Sequence, residues 1–89
     1  MPKVVISEEF VEATAEVYSD RVFNDLFRLA EMLETLPELG STDLPAAIRK
    51  RFGEDCRKIV VAPFDMLYRY DEKADTVYVA ALIHQRRVH

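Results

Sequence analysis

The sequence predicts an α+β domain: a short N-terminal strand, then two helices or one bent helix, packed on a mainly antiparallel sheet that ends in a three-stranded meander. Three observations carry this. Residues 64–71 and 76–84 send alternate side chains to opposite faces with the period of two that marks strands, and the short run 57–61 precedes them. Residues 8–36 repeat their apolar side chains at helical spacing, with no proline or glycine among them. Val4-Val5-Ile6 precedes both as a short β-branched run.

Taken in order, Ser7 can cap a helix whose first turn holds Glu8 and Glu9, acids suited to the positive end of the helix dipole. Apolar positions then run from Phe10 and Val11 through Ala15, Val17, Tyr18, Val22, Leu26, Ala30, Leu33 and Leu36. Ser19-Asp20 is the polar punctuation within that run. Two helices breaking there, with Asp20 as N-cap, are favoured over one bent helix. Pro37 closes the pattern, because the residue before a proline disfavours the α region. After Gly40-Ser41-Thr42, residues 43–53 read as a short helix with Asp43 at its N-cap, Arg49-Lys50-Arg51 in its last turn and Gly53 following. All of the helices are expected on one face of the sheet.

Arg57–Val61 is the first strand of the meander, and Ala62-Pro63 forms the turn, since proline has no ladder donor. In the second strand Phe64, Met66, Tyr68 and Tyr70 share one face, and Asp65, Leu67, Arg69 and Asp71 the other. Polar residues 71–75 make a hairpin loop. In the last strand Val77, Val79, Ala81 and Ile83 share one face, and Thr76, Tyr78, Ala80, Leu82 and His84 the other. Tyr68, Tyr70 and Tyr78 are expected to be buried.

The 89 residues are read as one domain spanning 1–89. No apolar run approaches the 18 or so residues of a membrane span, so no membrane partner is expected, and the N-terminus turns acidic too early for a signal peptide. The expected compartment is the cytoplasm. Cys56, the one cysteine, permits no intrachain disulfide and reads as a small buried hydrophobe. Two histidines far apart in the chain make an unpersuasive metal set, and two isolated glycines make no phosphate loop, so neither metal nor cofactor is expected.

Charge divides the chain. Residues 1–40 carry nine acids and three bases, whereas residues 41–89 carry seven acids and nine bases. The bases cluster at Arg49-Lys50-Arg51, Arg57-Lys58 and Arg86-Arg87. A net charge of −4 and a pI near 5.1 argue against a phosphate-gripping protein, which needs a cation for each phosphate it neutralises. The candidate target- or partner-contact residues are therefore local: Arg57, Lys58, His84, Arg86 and Arg87. His84 ends a strand and is a candidate acid–base group, as is Arg86 for charge stabilisation; His89 is the last residue and a weak candidate.

The Arg57-Lys58-Ile59-Val60-Val61 strand, the Phe64-x-x-x-Tyr68-Arg69 strand with its polar turn, and a final aliphatic strand ending in His84-x-Arg86-Arg87 together resemble the RelE/ParE family of bacterial toxins. The Leu33–Gly40 stretch resembles the helix ending of that family. The resemblance implies a growth-inhibiting toxin, such as those of plasmid-stabilization systems, neutralised by a cognate antitoxin. It also implies DNA gyrase or the ribosome as target, and a homodimer or a toxin–antitoxin hetero-oligomer as assembly. The RelE branch is a ribosome-dependent mRNA interferase. Its Cys-x-Lys-Ile-Lys run matches Cys56-Arg57-Lys58-Ile59-Val60, so Lys58 is kept and the second lysine is Val60. Its next arginine falls on Asp65, its last on Arg86, and its terminal tyrosine finds no match. The resemblance therefore leans toward the ParE branch, which acts on gyrase, and away from an enzyme. A toxin-derived, non-catalytic binding module is the alternative from another class.

Overall fold

The computed structural model describes the backbone of residues 1–87 and the side chains of residues 1–86. The elements run β1 (Lys3–Ile6), α1 (Glu8–Thr14), α2 (Asp20–Met32), α3 (Ala46–Phe52), β2 (Arg57–Val61), β3 (Phe64–Asp71), β4 (Thr76–His84) and a 3-10 turn at Gln85–Arg87. The strands form one sheet in the order β1-β4-β3-β2, with β1 parallel to β4 and the other pairs antiparallel. Among the described residues no helix is long and apolar enough to cross a membrane.

Ser7 joins the first strand to the first helix. Its Oγ accepts the Phe10 N–H at 3.0 Å, capping α1, and donates to the Ala80 carbonyl at 2.7 Å. Ala80 is the extra residue of a β-bulge: Leu67 opposes Ala81 while Tyr68 opposes Val79. A hydroxyl thus satisfies a carbonyl at the one point where the β3–β4 ladder is broken.

The helical run divides as expected, but at different residues. α1 ends at Thr14, residues 15–19 connect, and the cap of α2 is Ser19, whose Oγ accepts the Val22 N–H at 3.3 Å. Asp20 instead occupies the first turn. α2 also stops at Met32 rather than Leu36, and Leu36 is 49% exposed. Its buried row is Val22, Leu26 and Ala30, continued by Leu33 at the C-cap; Phe27 meets Phe10 edge-on at 6.2 Å. α3 begins at Ala46 with Pro45 at its N-cap. Asp43 is not the cap: the helix starts three residues later and no side chain caps it, while the Asp43 N–H bonds Ser41 Oγ at 3.0 Å.

The bulge divides the last strand. Val77, Val79 and Leu82 join Phe10, Leu26, Met66 and Tyr68 in the main core under α1 and α2. Ala81 instead joins Leu44, Cys56 and Leu67 in a smaller cluster, packed by Ile48, Phe52 and Ile83. Strict alternation puts Val77, Val79, Ala81 and Ile83 on one face; one inserted residue reverses the order from Ala81 onward. The second cluster also places α3 on the opposite sheet face from α1 and α2, so the helices do not all lie on one face. Tyr78 points to that second face beyond the reach of α3 and is 39% exposed, against the expected burial. Tyr70 is half-buried, and its hydroxyl donates to Asp75 at 2.8 Å.

Tyr68 holds the α2–α3 loop. Its hydroxyl accepts the Gly40 N–H at 2.7 Å, and a Cβ on Gly40 would stand 2.7 Å from the ring and 2.8 Å from the Lys58 carbonyl. Ser41 exchanges two backbone bonds of 2.9 Å with Lys58. Cys56 is fully buried, and burial pushes its thiol upward with help from nearby Asp55, as suits a packing residue rather than a nucleophile.

Candidate functional site

His84 is where β4 ends. It pairs in register with Phe64, the first residue of β3, and their rings meet edge-on at 5.4 Å. The bulge puts His84 on the α1/α2 face, with Leu82 and Phe64 rather than with Thr76 and Tyr78. The chain then leaves strand geometry. The Gln85 N–H bonds the Pro63 carbonyl at 2.8 Å, and the Arg86 N–H bonds His84 Nδ1 at 3.2 Å. Strand alternation therefore does not extend to Arg86 and Arg87, whose backbone lies in the 3-10 turn. The Arg86 side chain is exposed. The side chain of Arg87, and His89 as a whole, lie outside the described residues.

The bond to Nδ1 decides what His84 offers. With that lone pair engaged, the neutral ring carries its proton on Nε2 and presents a donor, not a base. Two clefts flank it. One, of about 320 Å³, lies between the α1–α2 connection and the Ala62-Pro63 turn and is lined mainly by Val17, Tyr18, Val22, Pro63 and Phe64. Tyr18 there is 93% exposed. The other, of about 280 Å³, separates α1 from α3 and brings in Glu9, Glu16 and Arg51. Arg51 spans that cleft in a 3.1 Å ion pair with Glu9. The helical period of residues 8–36 does not signal this: tertiary packing brings Glu9 and Glu16 beside His84.

Arg57 and Lys58 do not join this end. Arg57 opposes Tyr68 while His84 opposes Phe64, which separates the two by about 13 Å along the sheet, with β3 between them. The Arg57 guanidinium is also committed, donating to the Gly40 carbonyl at 2.8 Å and the Glu38 carbonyl at 3.2 Å. It closes the loop that Tyr68 holds from the other side. Lys58 faces the α3 side with Leu67, Val60 and Asp65.

On that second face Val60 opposes Asp65, and Asp65 opposes Ile83. Asp65 is only 6% exposed and accepts a bond from Gln85 Nε2 at 3.3 Å, whereas Val60 is 55% exposed. The ground between Lys58 and the chain end is therefore one buried carboxylate and one exposed aliphatic side chain. A phosphorane needs converging cations, and this arrangement supplies a single lysine and an anion.

Compared with known protein families, residues 4–89 match the one described as ParE toxin of type II toxin-antitoxin system, parDE. No curated protein matches the chain.

Proposed function

The chain belongs to the RelE/ParE family of type II toxin–antitoxin toxins, which implies a cognate antitoxin partner, and on that premise we propose that it inhibits growth through DNA gyrase rather than by cutting messenger RNA. The observation that carries this reading is the Val60–Asp65 pair. Positions that would need to be cationic for ribosome-dependent cleavage hold an exposed valine and a buried carboxylate in direct register. The engaged Nδ1 of His84 supports it, because a general base must have a free lone pair facing its proton. In this reading His84 and Arg86 contact the target as a hydrogen-bond donor and a cation at the end of the sheet. Arg57 serves the fold.

Induction without antitoxin tests it in cells. The expected outcome is growth arrest with filamentation and a DNA-damage response while bulk translation continues, reversed by co-expression of the cognate antitoxin. Arrest of translation with cleaved messenger would return the chain to the interferase branch, and no phenotype at all would favour the non-catalytic binding module.

A further inference from the structure

Tyr18 leaves nearly all of its surface in water, yet the chain that carries it is held on both sides. Residues 15–19 run on from α1 in turns: the Glu16 N–H bonds the Ala13 carbonyl at 3.1 Å, and the Val17 N–H bonds the Thr14 carbonyl at 3.0 Å. Val17 packs against the main core, and Ser19 caps α2. The ring between them is displayed outward on a fixed backbone. Tyrosine in such a position offers a large contact area with few torsions to freeze, which is why it recurs where binding energy concentrates.

The ring stands beside the cleft of about 320 Å³ whose walls include Val17, Val22, Pro63 and Phe64. Glu16, Phe64 and His84 line this cleft and also the one between α1 and α3, so they form the ridge that the two clefts share. That ridge carries an exposed carboxylate and the Nε2 donor of His84. Its surroundings are acidic. Residues 8–20 hold five acids and no base, and Arg51, which reaches across from α3, is already paired with Glu9. A phosphate backbone is repelled by such an end, whereas a cationic side chain is attracted to it.

We propose that the target docks on this end through protein, by a surface segment that puts an apolar or aromatic side chain into the Tyr18 cleft and a lysine or arginine against Glu16. His84 Nε2 then donates to a backbone carbonyl of the same segment. Removing the ring and the cleft walls from water gives affinity; the ridge carboxylate selects a basic neighbour and rejects an acidic one. This rests on the gyrase reading. It adds the docking face, the chemistry of the segment, and a contact with the protein surface of gyrase rather than with the DNA that gyrase holds.

The test is binding of the toxin to purified gyrase by surface plasmon resonance, in the absence of DNA. The parent is expected to bind without DNA, and Tyr18→Ala and Glu16→Lys each to lose about tenfold or more in affinity. Both change exposed positions and should melt close to the parent. Glu16→Gln should lose less than Glu16→Lys and should flatten the salt dependence. Tyr78→Ala, exposed on the other face of the sheet, should bind like the parent. Unchanged gyrase affinity in both Tyr18→Ala and Glu16→Lys overturns the proposal while the gyrase reading stands. So does loss of affinity for the cognate antitoxin in place of gyrase, which would give the cleft to the antitoxin. Binding of the parent to gyrase only when DNA is added also overturns it, since the contact would then be nucleic acid. A parent that binds gyrase under neither condition overturns the gyrase reading, and this proposal with it.

Discussion

Tyr68→Ala is expected to remove about 3–5 kcal/mol of stability, the range for truncating a large buried aromatic side chain. At about 4–8 °C per kcal/mol for a domain of this size, the melting temperature should fall by about 15 °C or more. Tyr68 is fully buried at the centre of β3, between Arg57 and Val79, and belongs to the main core. It also accepts the Gly40 N–H, so the truncation opens a cavity and leaves a buried donor without a partner. Tyr68→Phe isolates the second loss and should cost about 1–3 kcal/mol. Burial pushes the phenol upward, against the opposing pull of the Gly40 N–H and Arg57. Below about pH 10 both the folded and unfolded phenols are neutral and the contribution is complete. Above it the unfolded chain ionises first, so stability falls until the raised folded value is passed. Thermal melting of the three proteins from pH 7 to 11 reads all of this. A Tyr68→Ala protein melting within a few degrees of the parent would mean that the α2–α3 loop is not held as described.

The second large effect is functional. Arg86→Ala is expected to abolish growth arrest while changing stability by less than about 0.5 kcal/mol, because its exposed side chain makes no bond among the described residues and its backbone N–H, which holds His84, survives the substitution. Arg57→Ala should behave in the opposite way, losing two bonds to loop carbonyls and therefore stability. Growth on induction and melting of each purified variant give a two-by-two reading. Arrest that persists in a normally melting Arg86→Ala protein removes Arg86 from the contact site.

Much of the fold is written in local signals. Alternation through residues 64–71, the Ala62-Pro63 turn, the Ser7 cap and the basic last turn of α3 rest on neighbours a few residues apart, and all are present in the structure. The departures come where distant residues decide. The bulge at Ala80 depends on Ser7, across the sheet, accepting the role of hydrogen-bond partner to a displaced carbonyl, and no period in residues 76–84 announces it. That one residue moves His84 to the helix face. Arg57 reads as a free cation because the Gly40 and Glu38 carbonyls that hold it lie on a distant loop. The start of α2 is ambiguous because Ser19 and Asp20 can both cap, and the structure uses Ser19. The place of His84 at the end of the last strand is legible in the sequence; Glu9, Glu16 and Arg51 beside it are not, since α1 and α3 meet only in three dimensions.

The central claim is that this toxin acts without cutting RNA, and one paired measurement bears on it most directly. Purified protein is added to a gyrase supercoiling reaction and, at the same concentration, to a translating extract whose messenger is followed by primer extension. The account predicts lost supercoiling with cleaved-DNA complexes in the first, and intact messenger in the second. Efficient messenger cleavage in the extract, with gyrase unaffected, would contradict it.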